Sequence, residues 1–203
     1  MRRRIVPLLV LLVGLGLFWA TRERSPAPPG IEVSSDVAEC RRHLLAIYDG
    51  LRAYHERFGR LPERAGVGFL ASLVADGIWE NDEAHAALLT CPGPGARPVT
   101  PTTDLSDPST WTEDSSAYAG RDPIGSPIEK FPAGGPAASA LAACDNQAGC
   151  NHPGILNVLY TDRTVRTFEL AALLRRGEVP PGTEHLIVGP DSPLSGLRVL
   201  SVH

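Results

Sequence analysis

The sequence predicts an α+β domain, with helices gathered in its first half and extended segments in its second. Two observations carry that expectation. Val37, Cys40, Leu44, Ile47, Leu51, Tyr54 and Phe58 recur at intervals of three or four and form one apolar stripe, while Arg41, Arg42, Asp49, Arg52 and Glu56 fall off it. Far downstream, residues 155–160 and 164–168 are strand-like runs separated only by Thr161-Asp162-Arg163, which reads as a tight hairpin.

The long helix is expected to open at Asp36, where Glu39 three residues later completes a capping-box pattern, and to close at Gly59 with Pro62 just beyond. A second short helix is expected over residues 69–76, stopped by Gly77, and a third over 81–89. Residues 92–112 are rich in Pro, Gly, Ser, Thr and Asp, the composition of a long surface excursion. Residues 116–119 follow as a strand and 169–176 as a closing helix. Two further extended segments, 185–188 and 197–202, flank the turn-rich Pro190-Asp191-Ser192-Pro193.

Ahead of these elements, Met1-Arg2-Arg3-Arg4 precedes an uncharged apolar run from Ile5 to Ala20. As a helix this run covers about 24 Å against a hydrocarbon core of roughly 30 Å. Ala20 follows Phe18 and Trp19, Ala27 precedes Pro28, and no lipid-accepting Cys follows the run, so an uncleaved anchor is preferred over a cleaved signal segment. Residues 5–20 would then meet the membrane, with the arginines cytoplasmic: a single-pass inner-membrane protein whose carboxy-terminal domain is extracytoplasmic. Residues 21–34 form a linker in which Ser25-Pro26-Ala27-Pro28-Pro29-Gly30 cannot continue a helix. Residues 35–203 remain as one domain, large enough to bury a core.

The 19 basic and 23 acidic residues give a net charge of -4 without a basic stripe, which argues against a nucleic-acid partner. Nothing indicates an enzyme. The serines of Gly125-Ser126-Pro127 and Leu194-Ser195-Gly196 do not sit on a strand-to-helix elbow, and the pairs Asp82 with Glu83 and Glu113 with Asp114 read as solvated surface. His43 and His55 fall off the apolar stripe as plain polar positions. Trp79, Trp111 and Tyr118 serve either a small core or a protein partner.

Cys40, Cys91, Cys144 and Cys150 make an even number in an exported chain, so disulfides are the expectation. Cys144 and Cys150 bracket a short polar loop and make the pair with the smallest closure entropy, which leaves Cys40 with Cys91. The cysteines together with His152 offer a zinc reading, placed behind the disulfides because the spacing is not a pair of CxxC knuckles. Its catalytic form would use Cys91, Cys144, Cys150 and His152 with the thiols reduced. His152, Asp162 and the 144–150 loop could converge on a metal or small ligand, although a strand-entry cap at His152 and an Asx turn at Asp162 explain both. No cofactor or metal is assigned on this basis; His152, Asp162 and Asp145 stand as the metal candidates.

Residues 40–62, with Tyr54, Gly59, Leu61 and Pro62 at the helix end, resemble bacterial pilin-like proteins, among them the major pseudopilins of type II secretion. Residues 151–165 resemble the carboxy-terminal signature of a pilin-like family, a His followed about ten residues later by Asp-Gly; here these are His152 and Asp162, with Arg163 in place of the Gly. Cys91-Pro92 and residues 116–120 resemble its middle. The resemblance implies a long helix packed on a small antiparallel sheet, no catalytic activity and, by analogy, calcium near Asp145 and Asn146, although alternating oxygen ligands are absent. The chain departs from it in having no prepilin cleavage motif near Arg4 or Ile5 and in the proline linker. The expected function is a membrane-anchored pilin-like structural or protein-interaction component of the cell envelope, with envelope protein partners and a link to secretion or pilus-like machinery. The alternative is an extracytoplasmic ligand-binding module that uses the 92–112 excursion.

Overall fold

The computed structural model describes residues 34–95, 107, 110–112, 115–144 and 151–202. The anchor expected over residues 1–20 and nearly all of the linker lie outside them. Among the described residues no helix is long and apolar enough to cross a membrane.

Helix α1, Ser35–Phe58, buries Val37, Cys40, Leu44, Ile47, Leu51 and Tyr54, the stripe read from the sequence, together with Tyr48 and Gly50. Only Phe58 of that stripe is exposed. Gly59 ends the helix with φ 69°, a left-handed position that glycine adopts without steric penalty. The capping box does not form: Ser34 is the N-cap, while Asp36 turns to His152 and Glu39 to Arg42 and His43. Helix α2, Val67–Ala75, is buried over most of its length, and helix α3, Glu83–Leu89, is capped by Asp82, whose carboxylate accepts from His85 N at 2.8 Å. Trp79 lies so close to α1 that a Cβ on Gly50 would come within 2.9 Å of its ring.

Strands β1 (Tyr118–Arg121), β2 (Ala140–Cys144), β3 (Ile155–Tyr160), β4 (Val165–Glu169) and β5 (Leu200–Ser201) form one antiparallel sheet in the order β4-β3-β2-β1-β5. The β3–β4 hairpin matches the expected one. Arg163 does occupy a left-handed position in its turn, at φ 64°, and its guanidinium bridges to Asp49 of α1 at 2.9 and 3.1 Å. Strand β2 was not foreseen, because Ala140-Leu-Ala-Ala-Cys144 lacks the β-branched residues that mark strands, yet all five residues are buried. Residues 185–188 form no strand, and of 197–202 only Leu200–Ser201 pairs, at the edge against β1. Helix α4, Leu170–Arg176, follows β4 directly and ends at Gly177.

Helix α1 lies against the sheet. Asn157 Nδ2 of β3 donates to Val37 O at 3.3 Å, Arg41 to Thr167 Oγ1 at 2.7 Å, and Tyr48 Oη to Thr161 O at 3.3 Å. Leu44, Ile47 and Leu51 bury against the same core as Leu141, Leu156 and Leu159. The described residues are therefore α+β, with four helices and a five-stranded antiparallel sheet.

Candidate metal centre

One end of this helix-on-sheet core is built from four side chains that the sequence scatters over more than a hundred positions. Cys40 sits on the buried face of α1, one turn after Asp36. Cys144 is the last residue of β2, directly opposite Tyr118 of β1 in the ladder. Cys91 follows α3 in a segment held from both sides: His43 Nδ1 of α1 donates to Thr90 O at 2.9 Å, and Ala117 N donates to Leu89 O at 2.8 Å. His152 leads into β3, and its neighbour Asn151 is tied to Ala117 O at 2.9 Å. The 91–95 segment passes so close that a Cβ on Gly93 would lie 2.0 Å from Asn151 O and 2.9 Å from His152 Cε1.

The ligand atoms of Cys40, Cys91, Cys144 and His152 all lie within 4.8 Å of one another. Cys91 Sγ is 3.6 Å from Cys144 Sγ and 3.1 Å from His152 Nε2, and Cys40 Sγ is 2.7 Å from Cys144 Sγ. All four residues are at most 2% exposed. On its other edge the imidazole meets Asp36, with Nδ1 3.1 Å from Oδ2. A carboxylate on one ring nitrogen leaves the other free to bind a metal, the arrangement that orients metal-ligating histidines.

Without a metal, charge is distributed unevenly in the group. Cys144 and Cys91 donate hydrogen bonds to the Cys40 sulfur and drive its pKa far below that of an ordinary thiol, although burial opposes them. Burial pushes the Cys144 thiol well up, and the neighbouring Cys40 adds to this. Burial alone would lower His152, but hydrogen bonds with Cys40 and Cys91 and the negative charge beside it raise its pKa to about 10. A divalent cation bound by these side chains takes the place of their protons.

No protein-family model, curated protein or solved structure matches this chain. The site therefore speaks through its own chemistry. Three thiolates and one imidazole are the donor set of a closed structural zinc site. In a zinc tetrahedron with Zn–S bonds of about 2.3 Å, sulfurs stand roughly 3.7 Å apart; Cys91 and Cys144 already meet this at 3.6 Å, and Cys40 and Cys144, at 2.7 Å, would open by about 1 Å. Calcium and magnesium require oxygen ligands, and no oxygen belongs to this group.

Among the described residues no disulfide joins Cys40 to Cys91, and the expected partner of Cys144, Cys150, lies outside them. The sulfurs of Cys40, Cys91 and Cys144 are unbonded. Closure entropy favours Cys144 with Cys150, but the place of Cys144 on β2 turns its side chain inward to α1, where Cys40 lies. Cys150 and Asp145 lie outside the described residues. Asp162 does not join the group; it accepts from Thr164 N at 3.1 Å and Thr164 Oγ1 at 2.6 Å in the β3–β4 turn and pairs with Arg166, the Asx-type role. Sequence reasoning missed Asp36 as the partner of His152. Its only signal is the spacing of Asp36 and Cys40, which places both on one helix face. Two open grooves, each about 360–370 Å³, lie instead around Arg60 and Glu63 just past the carboxy-terminal end of α1 and contain none of the four ligands.

Proposed function

We propose that this chain is a membrane-tethered, pilin-like structural or protein-interaction domain of the cell envelope whose helix is fastened to its sheet by one zinc ion bound to Cys40, Cys91, Cys144 and His152. The observation that carries the proposal is the closure of the site: four ligand side chains, each at most 2% exposed, bring their ligand atoms within 4.8 Å of one another. A catalytic zinc keeps one position open to water or substrate, whereas a structural zinc is fully enclosed by protein ligands. The reading is accordingly non-enzymatic.

The placement of the ligands supports a fastening role. They come from α1, β2 and two connecting segments, so a metal there ties together elements that meet only in the folded state and contributes its binding free energy to folding. A bound metal also keeps the thiols from exchange in the oxidising compartment that the arginine-flanked apolar run implies. The order of a long helix followed by an antiparallel sheet supports the pilin-like scaffold. Envelope protein partners and a tie to secretion or pilus-like machinery belong to the same proposal.

Cobalt substitution tests it. Full-length protein extracted from membranes, stripped with chelator under reducing conditions and titrated with cobalt(II), should show sulfur-to-metal charge-transfer absorption and tetrahedral visible bands that saturate at one ion per chain. Absence of those bands in folded protein would overturn the metal-fastened reading. Recovery of the chain in the soluble fraction would overturn the tether.

A further inference from the structure

Across the β1–β2 ladder from Cys144 stands Tyr118. Side chains paired in this way share a face of the sheet and have Cβ atoms about 5 Å apart. Tyr118 is fully buried, and among the described residues its hydroxyl is the buried side-chain oxygen that finds no hydrogen-bond partner. Buried hydroxyls are ordinarily satisfied, and an orphan in a well-packed core marks a missing partner. The groups around it identify that partner. Cys144, on the same face of the sheet, has its sulfur 2.7 Å from Cys40 Sγ and 3.6 Å from Cys91 Sγ, so the thiol cluster is the polar group next to the phenol.

We propose that Tyr118 is a positioning residue of the metal centre, its hydroxyl donating a hydrogen bond to the Cys40 thiolate when the metal is bound. The inference rests on the zinc reading above and extends it to the outer shell. Three thiolates and one divalent cation leave a net negative charge in a buried site. Asp36 holds the histidine edge, but it is a carboxylate and adds charge there. A donor on the sulfur side disperses that charge without adding any. The hydroxyl therefore favours the centre in which all three sulfurs are thiolates. Phenylalanine at this position would keep the ring and its packing and remove only the donor.

The test compares full-length wild type with Tyr118→Phe, measuring zinc(II) affinity by competition with a chromophoric chelator and the charge-transfer band of the cobalt(II) form. The expected result is that the variant still binds one metal, with an affinity lower by about ten- to a hundred-fold and a charge-transfer band moved to lower energy. Thermal unfolding of the metal-free proteins should show Tyr118→Phe at least as stable as wild type, which separates loss of a donor from loss of packing. Equal affinities and superimposable bands would overturn the role of Tyr118 and leave the zinc centre standing. A wild type that binds neither metal would overturn both. Should Tyr118→Phe fail to fold, isotope-edited infrared spectra of wild type carrying ring-labelled tyrosine decide the point: zinc should move one tyrosine C–O band to a hydrogen-donor frequency, and an unchanged spectrum would contradict the assignment.

Discussion

Asp36 and His152 are 116 residues apart in the chain and meet at 3.1 Å, carboxylate oxygen to Nδ1, at the edge of the thiol cluster. This contact explains why the helix does not use Asp36 as a cap. The carboxylate is committed to orienting the imidazole, and its pKa is lowered, chiefly by a hydrogen bond from the Ser34 side chain and further by His152. Asp36→Asn is expected to keep the fold and weaken zinc binding by about ten- to a hundred-fold. Chelator competition on the purified variant checks it; an unchanged affinity would show that the ring needs no orienting partner.

The four ligands should be separable from the fourth cysteine. Cys40→Ser, Cys91→Ser, Cys144→Ser and His152→Ala are each expected to abolish stoichiometric zinc binding, because each removes one corner of the tetrahedron. Cys150→Ser is expected to bind zinc as wild type does. Metal analysis of the five variants after gel filtration decides this, and loss of zinc from Cys150→Ser would place that residue among the ligands.

Gly93 permits the close passage of its segment past His152, since a Cβ there would lie 2.0 Å from Asn151 O and 2.9 Å from His152 Cε1. Gly93→Ala must push the histidine away although no ligand is altered. The expected outcome is a marked fall in zinc affinity with secondary structure retained, read by competition titration and circular dichroism. Wild-type affinity in this variant would mean that the 91–95 segment moves aside freely.

Zinc affinity should rise steeply with pH. The Cys144 and Cys91 thiols are raised and His152 holds its proton up to about 10, so near neutrality the metal must expel these protons on binding. Cys40, driven the other way, has none to release. Two to three protons lost per metal correspond to an affinity gain of roughly a hundred- to a thousand-fold per pH unit. Competition titrations between about pH 6 and pH 8 measure the slope. A flat profile would contradict a site that is protonated when empty.

Away from the centre, Arg121 is buried and, among the described residues, forms no ion pair with a carboxylate. Its guanidinium donates to Ser126 O, Ala140 O and Ser139 Oγ, tying β1 to the start of β2 and to the turn that follows β1. Arg121→Ala strips these acceptors of their donor and should destabilise the domain by about 3 kcal/mol, measured by urea unfolding. A change below about 0.5 kcal/mol would show that water replaces the guanidinium.

How legible this protein is from its sequence depends on how local each signal is. The stripe of α1, its stop at Gly59 and the β3–β4 hairpin were legible because periodicity and turn chemistry are written in neighbouring residues. Strand β2 was not, since an alanine-rich run has no strand preference of its own and becomes a strand by pairing with β1 and β3. The cysteines and His152 are legible as a zinc set, but not which three cysteines join it nor that it outranks disulfides, because the spacing of Cys40, Cys91, Cys144 and His152 follows no compact knuckle and is set by where α1 crosses β2. Loop closure alone likewise carries no information on the direction in which Cys144 points, which the β2 pairing sets toward Cys40. Tyr118 carried no sequence signal beyond being aromatic; its relation to Cys144 exists only through the strand register.

Elemental analysis and thiol counting on one sample of the full-length protein, extracted from cell membranes without added metal or reductant, probe the zinc centre in its native state. One zinc per chain is expected, with the thiols of Cys40, Cys91 and Cys144 unreactive until chelator is added and alkylated afterwards. A chain without metal in which Cys40, Cys91 or Cys144 is locked in a disulfide would contradict it.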